Sequence, residues 1–183
     1  MSLAAHVRTL GRGPGRARSL TMDEAYNAMQ HMLAANADQA ATGALLMLLR
    51  MKGETAEEIA GLSAAAQAQV PDMPRADLDW PSYAAGRTRG LPWFLLSAHL
   101  VAQAGFRVVL HGWNGPDGSV RCGLADAGIP QAQTTRQAAR QLDAGNITYI
   151  AQEVLMPQLF DLLALRDQLG LRSCINTVSR MVN

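Results

Sequence analysis

Residues 86–112 read GRTRGLPWFLLSAHLVAQAGFRVVLHG, and the succession of loop, helix, turn and strand in that stretch decides the fold. Arg87 and Arg89 open it in a glycine-flanked loop. Pro92 suits the first turn of a helix, where its missing N–H costs nothing. Phe94 to Ala104 is apolar enough to be packed on several sides, and Gly105 is a natural helix stop. Phe106 to Leu110 then reads as a short interior strand, which sets His111-Gly112 at its C-terminal end. Open α/β sheets place their ligands there.

Working outward, the same alternation continues downstream. Ile147 to Ala151 reads as a second strand, with helices near Ser119 to Ala127 and Thr135 to Asp143. Further helices follow at Pro157 to Leu169, with Leu159, Leu162 and Leu163 on one face, and at Cys174 to Val182. Upstream the chain is helical: Leu3 to Leu10; a helix capped by the Thr21-x-x-Glu24 box, with Ala25, Met29 and Met32 inward; Gln39 to Met51, closed by Gly53; and a fourth capped by Thr55-x-x-Glu58. Between them PDMPRADLDWP (71–81) is too rich in proline and aspartate for regular structure and reads as a hinge or domain boundary. The expected architecture is α/β with a separate helical domain: an N-terminal helical bundle over 1–72 and an incomplete parallel-sheet α/β domain over 77–154.

With 183 residues and 49% hydrophobic content the chain can bury a core of one domain or two small ones. Its net charge of +1 gives no bulk attraction to nucleic acid, so any such case rests on where the charges sit. Lys52 is the sole lysine. Arg8, Arg12, Arg16 and Arg18 cluster around a GRGPGR loop (11–16) with no acid before Asp23. Cys122 and Cys174, with no signal peptide, fit a reducing compartment without disulfides, and the cytoplasm is the default location. The longest apolar run, Leu91 to Gly105, is too short for a bilayer span of about 20 residues. No metal-ligand spacing joins His6, His31 and His99, and there is no C-x-x-C, H-E-x-x-H, G-x-S-x-G or Walker A pattern.

Leu20-Thr21, Glu24-Ala25, Gly43 to Lys52 and Gly53 to Ala60 together follow a long helical motif, L-T-x-E-A…G-A-L-L-M-x-L-R-x-K-G-E-T-x-E-E-I-A. With His111-Gly112 on its strand, the chain resembles the anthranilate phosphoribosyltransferase family (glycosyltransferase family 3), which also holds pyrimidine nucleoside phosphorylases and a non-enzymatic DNA-binding paralogue group. The Gly11-Arg12-Gly13 and Ala17-Arg18-Ser19-Leu20 pattern is similar to that last group. The resemblance implies that 155–183 packs back on the N-terminal helices, that these helices form a homodimer, and that the C-terminal half of the α/β domain is missing, the chain ending where Arg172 to Asn176 matches an R-T-x-F-N segment.

Registered on His111-Gly112, the family's GTGGD diphosphate loop falls on Ser82-Tyr83-Ala84-Ala85-Gly86, its N-x-S-T turn on Pro92 to Leu95, and its K-H-G-N-R segment on Leu110 to Asn114. A diphosphate needs backbone N–H groups exposed by glycines and small donors at a helix N-terminus. Tyr83, Trp93, Phe94 and Leu95 supply neither, and their bulk is expected to block close approach of phosphate. The reading that follows is a phosphoribosyltransferase-like protein without cofactor that binds nucleic acid non-specifically. Arg8, Arg12, Arg16, Arg18, Arg87 and Arg89 would contact phosphates, with Tyr83 and Trp93 beside the loop. The helical spacing of Trp93 and Phe94 equally makes them core residues.

The alternative is a phosphoribosyltransferase using phosphoribosyl pyrophosphate and Mg²⁺, with Tyr83, Gly86, His111, Gly112, Asn114 and Arg172 at the substrate. Under a bland reading, His111 is a satisfied strand-end histidine and Arg172 is surface charge.

Overall fold

The computed structural model describes residues 2–83, 90–113 and 118–182. In chain order the helical half runs α1 (Leu3–Gly11), α2 (Met22–Leu33), α3 (Gln39–Lys52) and α4 (Ala56–Gln67). The α/β half follows as β1 (Leu78–Pro81), α5 (Phe94–Gln103), β2 (Val108–Gly112), α6 (Ser119–Asp126), β3 (Gln131–Ala132), α7 (Thr135–Gly145), β4 (Ile147–Ala151) and α8 (Gln152–Leu155). The chain then closes with α9 (Pro157–Leu169) and α10 (Ile175–Val178). Contacts divide it into two compact units, one of residues 1–69 with 158–182 and one of 70–157.

In the helical unit both capping boxes form: Thr21 and Thr55 each accept from the backbone N–H three residues on, and Glu24 and Glu58 reach back to the cap N–H. Glu58 does more. It is buried, and besides the Thr55 N–H it accepts from the Leu20 N–H at 2.9 Å and from Lys52 Nζ at 2.7 Å, tying the loop before α2 to the start of α4. Burial pushes its carboxyl up, but the bonds from Lys52, Thr55 and Leu20 outweigh this and hold it below the usual range. α2 and α4 pack closely enough that a Cβ on Gly61 would lie 2.2 Å from the Met22 carbonyl oxygen. Ala25, Ala28, Met29, Leu62, Ala65 and Ala66 are buried here, and Leu159, Leu162 and Leu163 bury the apolar face of α9. Each such leucine contributes about 2 kcal/mol through burial.

The α/β unit is built on four parallel strands in the order β1-β2-β4-β3. β2 and β4, buried at every position, form its centre. Alternation sends Val108, Leu110, Ile147 and Tyr149 to one face, against Leu95, Ala98 and Ala102 of α5 and Val120 and Leu124 of α6. Val109 and Ile150 go to the other face, against Ala138 and Leu142 of α7 and Leu155 of α8.

Three sequence expectations are corrected here. The run read as irregular contains β1, an edge strand. Pro81 is tolerated because an edge strand leaves one side free of ladder bonds. The strand read from Phe106 starts at Val108, and Phe106 is 54% exposed. α5 is buried on one side only: Leu95, Ala98 and Ala102 face the sheet, while Leu96 and Leu100 face out.

Candidate functional site

Register alignment brings three strand ends together. His111 pairs with Pro81 on one side and Ile150 on the other, and Gly112 pairs with Ala151, so Ser82-Tyr83, His111-Gly112 and Gln152-Glu153 leave or terminate the sheet side by side. The Ser82 N–H donates to the His111 carbonyl at 2.7 Å. A Cβ on Gly112 (φ 151°) would lie 1.9 Å from the Ser82 carbonyl oxygen, so only glycine permits this approach of β1 to β2. The Tyr149 hydroxyl donates to the Gly112 carbonyl at 2.9 Å and fixes the peptide that ends β2.

On the α7 face His111, 1% exposed, is clamped between two groups. Its Nε2 lies 3.2 Å from both Asp79 carboxylate oxygens, and its Nδ1 lies 3.2 Å from the Tyr83 hydroxyl, whose ring meets the imidazole edge-on. That hydroxyl donates to Gln152 Oε1, and burial, first, pushes the Tyr83 phenol up. Gln152 Nε2 is buried without a partner. Turning the amide over lets it donate to the Tyr83 oxygen, which then donates to Nδ1, so the four-group chain closes with His111 either neutral or protonated. On the α5–α6 face Arg121 donates to the Glu153 carboxylate. Burial lowers the Arg121 pKa, but the bond to Glu153 raises it further. The other Glu153 oxygen is buried and unpartnered.

Of the residues the sequence pointed to, Tyr83, His111 and Gly112 come together at these strand ends. Gly86, Arg87, Arg89 and Asn114 lie outside the described residues. Arg172 is exposed between α9 and α10 of the helical unit, where Arg8, Arg12 and Arg16 are exposed as well. Arg18 is held by Glu24 through two bonds of 2.6 and 2.7 Å, which raises the Arg18 pKa and lowers that of Glu24 to about 2.

The expectation that bulky side chains obstruct the site is corrected at Tyr83. Its side chain is 5% exposed and turned inward to His111 and Gln152. Trp93 is no core residue at 64% exposure, whereas Phe94 is half-buried against Trp80.

Sequence reasoning missed Asp79, Tyr149, Gln152, Glu153 and Arg121. Gln152-Glu153 were findable, being a polar pair directly after an apolar strand run, the same signal that marked His111-Gly112. Among the described residues no group of three His, Cys, Asp or Glu side chains converges as a metal site, and no helix is long and apolar enough to cross a membrane.

Residues 6–70 match the glycosyl transferase family, helical bundle domain. Over the whole chain, an anthranilate phosphoribosyltransferase of Myxococcus xanthus is 32% identical across 182 residues, covering 95% of this chain and 53% of the relative. Anthranilate phosphoribosyltransferase 2 of Streptomyces coelicolor is 30% identical, covering 91% and 51%. The chain is thus similar to the anthranilate phosphoribosyltransferases. It spans about half the length of the curated relatives it matches.

The fold agrees. The crystal structure of anthranilate phosphoribosyltransferase from Thermus thermophilus superposes with a TM-score of 0.78 at 21% identity, covering all of this chain and 55% of that one. The Saccharomyces cerevisiae enzyme in complex with PRPP and Mg superposes with 0.74 at 15% identity, covering 98% and 55%. An N-terminal helical bundle with a parallel-sheet α/β unit is thus the anthranilate phosphoribosyltransferase-like fold.

Proposed function

We propose that the strand ends of the α/β unit serve phosphoribosyl transfer from phosphoribosyl pyrophosphate, with Mg²⁺, to an aromatic amine. The ribose C1–O bond to diphosphate breaks, a C1–N bond to the amine forms, and the amine loses a proton. The observation that carries this reading is the convergence of His111-Gly112, Tyr83 and Gln152-Glu153 at the carboxyl ends of three parallel strands, on a fold shared with a solved structure holding PRPP and Mg. Tyr83, turned inward, leaves the solvent side of these ends unobstructed by its ring.

This chain's own residues supply a rigid floor, through the Ser82–His111 and Tyr149–Gly112 bonds, and a cation. A diphosphate would compete with Glu153 for Arg121. The described carboxylates fit no protein cage for Mg²⁺, so no step is assigned to the ion, which diphosphate oxygens commonly hold in such reactions. The reading is tested by calorimetric titration with phosphoribosyl pyrophosphate in Mg²⁺. Saturable heat that weakens about tenfold in Arg121→Ala, the effect of losing one charged hydrogen bond, is the expected result. No heat at millimolar donor contradicts it.

A second reading rests on a separate observation, the exposed Arg8, Arg12 and Arg16 at and beyond the end of α1. In it this surface neutralises nucleic-acid phosphates, strengthened by a homodimer through the N-terminal helices, which doubles the charge. Arg18, already paired with Glu24, adds least. Duplex affinity should then fall steeply with salt, and the slope should flatten in Arg8→Ala/Arg12→Ala/Arg16→Ala. An unchanged slope rejects this surface.

A further inference from the structure

On the α7 face of the sheet lies a cleft of about 280 Å³, lined by Met73, Pro74, Ala76, Asp79, Val109, His111 and Leu155. Its size suits a single ring with a short arm, since small-molecule pockets start near about 300 Å³. Most of its lining is aliphatic or thioether. Its polar wall is the Asp79–His111 pair. The imidazole Nε2 sits astride both carboxylate oxygens at 3.2 Å and brings at most one N–H to them. A carboxylate offers about four lone-pair sites, and the Asp79 side chain is 28% exposed, so acceptor capacity remains toward the cleft.

No lysine or arginine is among the described lining residues. Arg107, two positions before Val109, donates to the Asp143 carboxylate at 2.9 Å and to the Arg75 carbonyl at 3.0 Å. Among the described residues the cleft therefore holds an acceptor-bearing wall, the Asp79 carboxylate, beside apolar surface.

We propose that this cleft binds a small amine with a compact apolar body, its nitrogen donating to Asp79 and its ring packed on Val109, Leu155 and Met73. Organic acids are disfavoured, because their carboxylate would face that of Asp79 and no lysine or arginine is among the described lining residues to offset it. The site stands on the cleft alone, independently of phosphoribosyl transfer.

The test is an NMR titration of the ¹⁵N-labelled chain with benzylamine, benzyl alcohol and benzoate. Benzylamine should give saturable shifts at the Val109, His111 and Leu155 amides, benzyl alcohol weaker ones and benzoate none. Asp79→Asn should weaken benzylamine at least tenfold. Ala76→Trp, at an exposed lining position, should abolish binding without touching the core, and it serves if Asp79→Asn fails to fold. Equal response to benzoate, benzylamine affinity unchanged in either folded variant, or shifts confined to other residues would overturn the proposal. The phosphoribosyl pyrophosphate titration reads out separately, so either idea can fail alone.

Discussion

Replacing Glu58 should cost the helical unit more than any other single polar substitution at its surface or core. The carboxylate is fully buried and accepts from the Leu20 N–H at 2.9 Å, the Thr55 N–H at 2.8 Å and Lys52 Nζ at 2.7 Å. In Glu58→Gln the amide oxygen does best at the position shared by Thr55 and Lys52. That sets the –NH₂ against the Leu20 N–H, two donors face to face in a buried place. Loss of the charge on the Lys52 and Thr55 bonds and of one buried acceptor gives about 3 kcal/mol, at about 1.5 kcal/mol for a charge-assisted bond and 1–3 kcal/mol for an unsatisfied group. Glu58→Ala, which orphans all three donors, should reach about 4–5 kcal/mol. Urea unfolding followed by far-ultraviolet circular dichroism at neutral pH reads this as a drop in midpoint. A loss below about 1 kcal/mol for Glu58→Ala would refute the argument that this carboxylate holds the Leu20 loop to α4.

Glu24 has a folded pKa of about 2 against an ordinary 4.5. Its contribution is therefore fully present above the higher value and lost as pH falls through the lower; Glu24→Gln should flatten the stability loss across that window, and an identical acid titration would contradict the Arg18 pairing. Gly61→Ala should destabilise by about 2–3 kcal/mol, because its methyl meets the Met22 carbonyl at 2.2 Å; a neutral result in thermal melting would mean α2 and α4 are not packed this closely. On α5, Leu95→Ala should cost about 2–4 kcal/mol while Leu96→Ala stays within about 0.5 kcal/mol, since one is 2% and the other 49% exposed; equal costs by denaturant titration would place the helix in the wrong rotation.

The elements with a local signature were legible before the structure. Thr21 and Thr55 announced their helices through a hydroxyl and a glutamate three residues on, and Ile147 to Ala151 announced β4 by a run of β-branched and aromatic residues, ITYIA. β1 was not legible. Its four residues Leu78–Pro81 carry an aspartate and a proline, and what makes them a strand is pairing with β2, some thirty residues away. The rotation of α5 was hidden for the opposite reason: almost every position from Phe94 to Val101 is apolar, so periodicity could not separate Leu95 from Leu96.

At the site, His111-Gly112 was visible from its place after a strand, but the reason for Gly112 lies in the Ser82 carbonyl. The inward turn of Tyr83 depends on Gln152 and His111, which only the sheet register brings near. No pattern within a short window encodes such contacts.

The account turns on whether the strand ends are where the sugar diphosphate lands. Amide shifts of the ¹⁵N-labelled full chain, followed during titration with phosphoribosyl pyrophosphate and Mg²⁺, measure that directly. The predicted result is saturable movement of Tyr83, His111, Gly112 and the Arg121 region, with the residues of α1 through Arg16 unmoved. Shifts confined to Arg8, Arg12 and Arg16, or none at millimolar ligand, would contradict it.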